Sequence, residues 1–396
     1  MDFRFTPEEE AFRQEVIDFA QKELPADWVS LGLSLDPGEE GWDFHMAMAK
    51  KLAQKHWLTL HWPKEYGGAD APPIQNMIFR DEASYWGIPG WMMGASGTGW
   101  VGPSLMLFGT EEQKKKYLPP IAAGEPDGVW NTGYSEPDAG TDLANIKTRA
   151  VKVGDEYIIN GEKTWQSLAH HARYNWCLCK TNPDLKHRGM SLIIVDLKSP
   201  GITIKPIIDI AGNHMVNQIF YDDVHVPVTN LVGEENRGWY YVMQALAYER
   251  GAIANPGSSR RYLDLMTEYA QETKRGGQPL SKNPAIRNKL AEMALDTEFI
   301  KVMCYKIAWS ENFGPVSAPD ASMVKIFSTE SSIRTIIAAM EILGPYAQLR
   351  KGSKWARLYG ALQSAYLTSF IARFGGGTNE VQKNIIAWMG LGIPRE

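Results

Sequence analysis

The apolar positions of this chain change period twice, and the changes separate a helical part, a strand-like part and a second helical part. Thr6-Pro7-Glu8-Glu9 predicts a helix start, with Thr6 as cap, Pro7 in the first turn and Glu9 completing a capping box. Phe12, Val16 and Phe19 then recur at helical spacing up to Pro25. Residues 36–41 read as a loop, 44–57 as a second helix and 62–68 as a tight connection, with further helices over 73–86 and 111–118. From about Val129 to Val232 the period becomes strand-like. Strands are predicted at 175–180, 191–196, 202–204 and 218–226, with Pro227 closing the β segment. Helical spacing returns at Gly238, predicting helices from 239 to 250 and beyond, then over 284–312, 322–343, 352–373 and 379–389.

The stretch from Trp130 to Ser167 reads in two parts. Tyr134-Ser135-Glu136-Pro137-Asp138-Ala139-Gly140-Thr141-Asp142 is turn-rich and dense in hydroxyls and uncovered backbone N–H groups. A hairpin pattern follows. Val151 and Val153 alternate up to Gly154-Asp155, Tyr157 to Ile159 form an apolar run, and Asn160-Gly161 predicts a second turn. That turn would deliver Trp165 and Ser167 on one face of a strand. A flat aromatic beside a hydroxyl and a loop of backbone donors suits a planar, hydrogen-bonding heterocycle; the same residues also describe an ordinary hairpin around a core Trp.

Composition narrows the classes. With 396 residues, 44% of them hydrophobic, the chain can bury a large core or build two to three domains. A net charge of −5 gives no basic footprint for nucleic acid, and Lys114-Lys115-Lys116 reads as a solvated helix face. The three cysteines are Cys177, Cys179 and Cys304; the Cys-Leu-Cys spacing puts two thiols on one side of a strand and fits neither a zinc site nor a disulfide framework. The acidic start and the lack of a long apolar run predict a cytoplasmic protein without signal, transit or membrane segment. Gly97-Thr98-Gly99-Trp100-Val101-Gly102 matches G-x-G-x-x-G, but no preceding strand is predicted, which excludes a Rossmann fingerprint. His170-His171 should point apart, and no metal site is expected.

YSEPDAGTD followed by YIINGEKTWQS resembles the central signature of the FAD-dependent acyl-CoA dehydrogenase family. GTEEQKKKYLPPIAAGE upstream and GGTNEVQKNIIAWMGLGIPRE at the end agree with it in order and spacing, so the likeness covers nearly the whole chain. It implies a mostly α, α+β fold: an N-terminal helical domain (1–128), a middle β-barrel-like domain (129–233) and a C-terminal four-helix bundle (234–396). It also implies dehydrogenation of an acyl-CoA thioester, with FAD as cofactor, a carboxylate base taking the α-proton and flavin N5 the β-hydride. Electrons would pass to an electron-transfer flavoprotein, in a homodimer, homotetramer or heteromer.

By the same resemblance Ser135 and Trp165 meet the flavin ring, Ser167 lies near N5, and Thr378 and Glu380 lie on the adenine and pyrophosphate side. Thr141 would contact the CoA arm, and Trp91, Met92, Met93 and Trp100, otherwise core residues, the acyl chain. The family's commoner base position is occupied here by Gly376, whose backbone N–H can still serve the thioester oxygen. The second base position, a Glu-Arg pair on the first helix after the β domain, matches Glu249 and Arg250, which by themselves read as a charged pair on an exposed helix face. Thr273 and Gly276 replace an Arg and a Phe that in many members reach the neighbouring subunit's FAD. The glycines at 375–377 leave room for a bulky, branched or cyclic acyl group. The missing acid at 376 also motivates a non-catalytic or half-active subunit of a heteromer, and the fold admits a flavin oxidase or monooxygenase.

Overall fold

A computed structural model describes residues 4–26, 28, 38–91, 95–254, 256–314 and 316–394, with side chains for all of these except 38–40, 95, 246–253 and 359. The first helices are α1 (Pro7–Glu23), α2 (Gly38–Gln54), α3 (Pro73–Trp86), α4 (Gly102–Phe108) and α5 (Glu111–Ala122). Strands β1 (Trp130–Gly133), β2 (Arg149–Val153), β3 (Glu156–Ser167), β4 (Tyr174–Lys180), β5 (Met190–Asp196), β6 (Ile202–Ile207) and β7 (Val216–Pro227) follow. Then come α6 (Gly238–Ile253), α7 (Pro256–Glu272), a small hairpin of β8 (Lys274–Arg275) and β9 (Gln278–Pro279), α8 (Pro284–Glu311), α9 (Ala318–Leu343), α10 (Ala361–Ser369) and α11 (Asn379–Ile385). The chain divides into two compact units, one of Asp36–Asp70 and Pro89–Glu249, the other of Met1–Leu35, Ala71–Ile88 and Arg250–Glu396.

In the first of these units the sheet runs β1-β4-β2-β3-β7-β6, with β5 paired to β4. β1 lies parallel to β4, while β2, β3, β7 and β6 alternate antiparallel. Two apolar clusters flank it. Trp62, Tyr117, Trp130, Trp176 and Leu192 pack with α4 and α5, and Tyr157, Ile159, Cys177, Ile193, Ile219 and Val224 form the other. The capping box of α5 explains its start: Thr110 Oγ1 accepts from Gln113 N, and Gln113 Oε1 from Thr110 N, each at 3.2 Å. The G-x-G-x-x-G stretch is a π-helical turn, Ala95–Val101, running into α4. Gly102 is small because the Trp62 ring stands 2.1 Å from where a Cβ would be. Gly38–Gly41, expected as loop, already belongs to α2; Asp36 and Pro37 lie outside the described residues.

The other unit is a helical bundle. α1 keeps its expected capping box, Thr6 N donating to Glu9 Oε2 at 2.8 Å, and buries Phe12, Val16, Phe19 and Ala20. Its core gathers Tyr262, Met266, Met293, Ile336, Ala339, Ile342 and Leu343 from α7, α8 and α9. A charged cluster is buried with it. Glu82 Oε1 accepts from Arg13 Nε at 2.8 Å and from Arg260 Nη2 at 3.0 Å, and the neighbouring Asp81 is 7% exposed. The helix expected over 352–373 is interrupted. Gly352 and Gly360 take φ of +93° and +75°, and only Ala361–Ser369 is α-helical between two 3₁₀ turns. After α11 the chain continues as a π-helical turn, Ile386–Gly390.

Candidate active site

The turn-rich loop closes at once: Glu136 N donates to Ala139 O at 3.0 Å and Ala139 N to Glu136 O at 3.1 Å. This folds the Glu136 side chain inward, to 5% exposure, where Oε1 accepts from Lys163 Nζ at 2.9 Å and from Thr148 N at 2.9 Å. Lys163, fully buried, also donates to Tyr134 O at 3.0 Å. Burial alone would raise the Glu136 carboxyl, but Lys163 and the backbone donors outweigh it and hold the group below its ordinary range. This ion pair ties the loop to β3. Thr164 N donates to Ser135 O at 2.9 Å, which brings half-buried Ser135 beside the end of that strand. Thr141 and Gly140 stay exposed at the loop's far side.

β3 carries the Trp and Ser. The hairpin turn at Gly154-Asp155 is as expected, with Val153 opposite Glu156 and Gly154 at φ +59°. The second turn, at Asn160-Gly161, does not form. β3 is continuous through it, and the register with β7 slips there instead. Asn160 reaches across, its Nδ2 donating to Asp223 Oδ1 and its Oδ1 accepting from Asp223 N, each at 2.9 Å. Gly161, at φ +142°, lies against Thr148, whose Oγ1 would be 2.6 Å from a Cβ. Asn-Gly thus marks a bulge.

A second register slip lies between Lys163 and Gln166. It puts Trp165 at φ +59° and 60% exposed, while Gln166 turns inward and Ser167 outward. Leu168 is also left-handed, at φ +54°. For bulky side chains each such residue costs about 1–2 kcal/mol. The strain is held from below by a polar network that sequence reasoning missed. Gln166 Oε1 accepts from Asn131 Nδ2 at 2.8 Å and from Asn175 Nδ2 at 3.2 Å, Asn175 Nδ2 also donates to Asn131 Oδ1 at 2.8 Å, and Tyr221 Oη donates to Asn175 Oδ1 at 3.1 Å. Asn217, below the same turn, is fully buried. The signal was an amide in each of three apolar strands, where Asn is disfavoured. Gly133 is small because Asn175 Oδ1 stands 2.3 Å from its missing Cβ. An indole displayed on strained backbone, with hydroxyls at Ser135 and Ser167 near it in the chain fold, fits a flat heterocycle such as a flavin ring.

The C-terminal glycines lie in the helical-bundle unit. Gly376 and Gly377 have φ of +67° and +88°, and Gln382 Nε2 donates to both carbonyls at 3.4 and 3.3 Å. Thr378 caps α11, its Oγ1 accepting from Val381 N at 3.2 Å, and Glu380 is exposed in the first turn. The turn is anchored by buried Asn379, which accepts from Lys325 Nζ at 2.8 Å and donates to Glu330 Oε1 at 2.9 Å. Thr273 precedes the β8–β9 hairpin, and Gly276 lies in the Gly276-Gly277 turn that closes it.

Glu249 and Arg250 fall in the last turns of α6, and their side chains lie outside the described residues, as do Met92 and Met93 altogether. Trp100 is half-buried against the cluster around Trp62, and Trp91 is half-buried in a turn. Cys177 and Cys179 are buried free thiols 3.5 Å apart. Their shared hydrogen bond holds Cys177 below the ordinary thiol range and Cys179 well above it, with burial adding to the latter. His170 and His171, expected to point apart, have ring centroids 4.2 Å apart, because 168–171 form a turn; His214 stacks on His170 at 3.9 Å. Among the described residues no cluster of three or more His, Cys, Asp or Glu is arranged to hold a metal, and no helix is long and apolar enough to cross a membrane.

Family sequence models for the acyl-CoA dehydrogenase N-terminal, middle and C-terminal domains match residues 6–125, 131–224 and 236–390. The chain is 38% identical to the acyl-CoA dehydrogenase FadE26 of Mycobacterium tuberculosis, covering 100% of this chain and 99% of that one. It superposes with a TM-score of 0.90 and 38% identity on a chain of the ChsE4-ChsE5 complex from the same organism, covering 100% of both. With the Tcur3481-Tcur3483 steroid ACAD the TM-score is 0.91 at 34% identity, again over 100% of both. The fold, the three matched domains and these relatives agree, and the chain belongs to the acyl-CoA dehydrogenase family: it is an FAD-dependent oxidoreductase acting on CH–CH bonds.

Proposed function

We propose that this protein dehydrogenates an acyl-CoA thioester between its α and β carbons and passes the electrons to an electron-transfer flavoprotein. The observation that carries this reading is the exposed Trp165 indole on left-handed backbone between the polar residues Ser135 and Ser167. Strain of that kind persists only where its surroundings over-determine it, and it gathers at working sites. Trp165 lies against the flavin, Ser135 and Ser167 hydrogen-bond its ring system, and Thr378 and Glu380 serve its adenine and pyrophosphate side. Bound FAD would supply the two-electron acceptor that the β-hydride needs. Glu249 takes the α-proton, and Arg250 orients or charge-balances it. Gly376 gives its backbone N–H to the thioester oxygen, and its φ of +67° is one that a Glu adopts only with strain, which supports a base elsewhere. Thr141 meets the CoA arm, and Trp91 and Trp100 line the acyl pocket. Residues 1–128, 129–233 and 234–396 form the N-terminal helical, middle β and C-terminal helical domains.

The substrate is bulky, branched or cyclic. Glycines 375–377 free the space beside the reacting carbons, and a 34%-identical structural neighbour is named a steroid ACAD. Two neighbours carry paired names, the ChsE4-ChsE5 complex and the Tcur3481-Tcur3483 steroid ACAD, which favours a heteromer over a homodimer or homotetramer here. Mixing the flavin-loaded protein anaerobically with a panel of acyl-CoAs tests the reading. Bulky or cyclic thioesters should bleach the flavin fastest, with slow return of colour in air. A preference for butyryl-CoA would contradict the substrate class, and rapid return in air would make the protein an oxidase.

A further inference from the structure

One buried amide behind the Trp165–Ser167 edge has no part in the chemistry above. Asn217, on β7, is fully buried, and its side-chain amide has three hydrogen-bond partners. Its Nδ2 donates to the Gln166 carbonyl at 3.0 Å and to His170 Nδ1 at 3.0 Å, and its Oδ1 accepts from His214 Nε2 at 2.7 Å. The amide has one orientation, because the flipped form would set its oxygen against the Gln166 carbonyl. His170 therefore accepts at Nδ1 and is neutral; burial, with His171 and His214 close by, lowers it to about 4. The rings continue as a stack, His214 on His170 at 3.9 Å, His170 beside His171 at 4.2 Å and His171 on Trp42 at 3.6 Å. The two histidines thus hold Asn217 in place, and Trp42 of α2 backs them.

The group Asn217 grips is the peptide oxygen between Trp165 and Ser167. Outside the sheet ladder its other bond is a long one, 3.5 Å from Ala169 N. The side chain of Gln166 is itself held by Asn131 and Asn175. Residues 165 and 168, on either side, sit at φ +59° and +54°, so the gripped Gln166 peptide lies between two strained backbone positions. We propose that Asn217, oriented by His170 and His214, is a positioning residue that fixes the Gln166 peptide and so sets the angle at which Trp165 and Ser167 meet the flavin. The proposal rests on the reading that these two residues face the flavin.

The test measures FAD dissociation constants, the visible flavin spectrum and the melting temperature of the FAD-free protein, in the assembly in which the wild-type chain retains FAD. Asn217→Ala removes the grip. Asn217→Asp keeps an acceptor for His214 but turns an oxygen on the Gln166 carbonyl. Each should weaken FAD binding by about tenfold, the scale of one buried hydrogen bond, and shift the visible band. His214→Phe keeps the ring stack and loses the bond that orients the amide; about threefold weaker binding is expected. It decides the matter alone if the Asn217 variants do not fold. Affinity and spectrum unchanged while the melting temperature falls would reduce Asn217 to a structural role and overturn the proposal. Trp165→Ala runs in parallel. If it weakens binding while the Asn217 and His214 variants do not, the positioning role falls and the flavin reading stands; if it too changes nothing, both fall.

Discussion

Lys163 and Glu136 show how one buried pair can organise a site without touching what it binds. Both are withdrawn from water, at 0% and 5% exposure, and their 2.9 Å bond joins the turn-rich loop to the strand that carries Trp165. Removing one partner leaves the other charged and alone. Lys163→Met should destabilise the protein by about 3–5 kcal/mol, and Lys163→Met with Glu136→Leu by clearly less. Denaturant midpoints of the two variants check this, and a double variant at least as damaged as the single would contradict it. Neither partner was singled out from the sequence, where both read as ordinary charges beside a more conspicuous Trp and Ser. Pairing across 27 positions is set by tertiary structure, which neither spacing nor period can show. Gly161 was conspicuous but misread. Asn-Gly favours a tight turn, yet a turn there would sacrifice the ladder between β3 and β7, and the Asn160–Asp223 bonds reward continuing it. Gly161→Ala should cost about 2 kcal/mol or more, since the new Cβ meets Thr148 at 2.6 Å and the backbone sits at φ +142°. A wild-type unfolding midpoint in that variant would argue against the bulge.

At the scale of elements, long periodic segments were legible and interrupted ones were not. α3 was expected over 73–86 and runs Pro73–Trp86, because a Pro at its start and Gly87 after its end bound it from both sides. The stretch 352–373 has helical spacing, but Gly352 and Gly360 hold left-handed backbone, and Lys351 N would lie 2.4 Å from a Cβ at 360. Between α1, α3 and α7 the buried acids Asp81 and Glu82 meet Arg13 and Arg260. Burial raises Asp81 to about 6, Arg260 opposing only in part. A carboxyl whose folded pKa exceeds its unfolded value of about 4 stabilises the fold while protonated and loses that contribution as pH rises through about 6. Asp81→Asn should therefore raise stability at pH 8 relative to pH 5, by about 1.4 kcal/mol. Melting temperatures of both proteins at the two pH values decide it; equal differences at pH 5 and pH 8 would show that Asp81 does not titrate between them.

At the scale of the whole molecule, the order of helical, strand and helical segments was readable because each period change is long, and three motifs in register carried the family. The indole and hydroxyl on one face of β3 were foreseen, although a bulge, and not a turn, presents them. The base rests on a different kind of argument, the replacement of an acid by Gly376 and the presence of a Glu-Arg pair at 249 and 250. Anaerobic reduction of bound flavin by a cognate acyl-CoA, compared between wild type and Glu249→Gln, tests it most directly. The account predicts that the variant keeps its flavin and melting temperature while reduction slows by about 10³-fold or more, as expected when a proton-abstracting group is lost. Undiminished reduction in Glu249→Gln would contradict it.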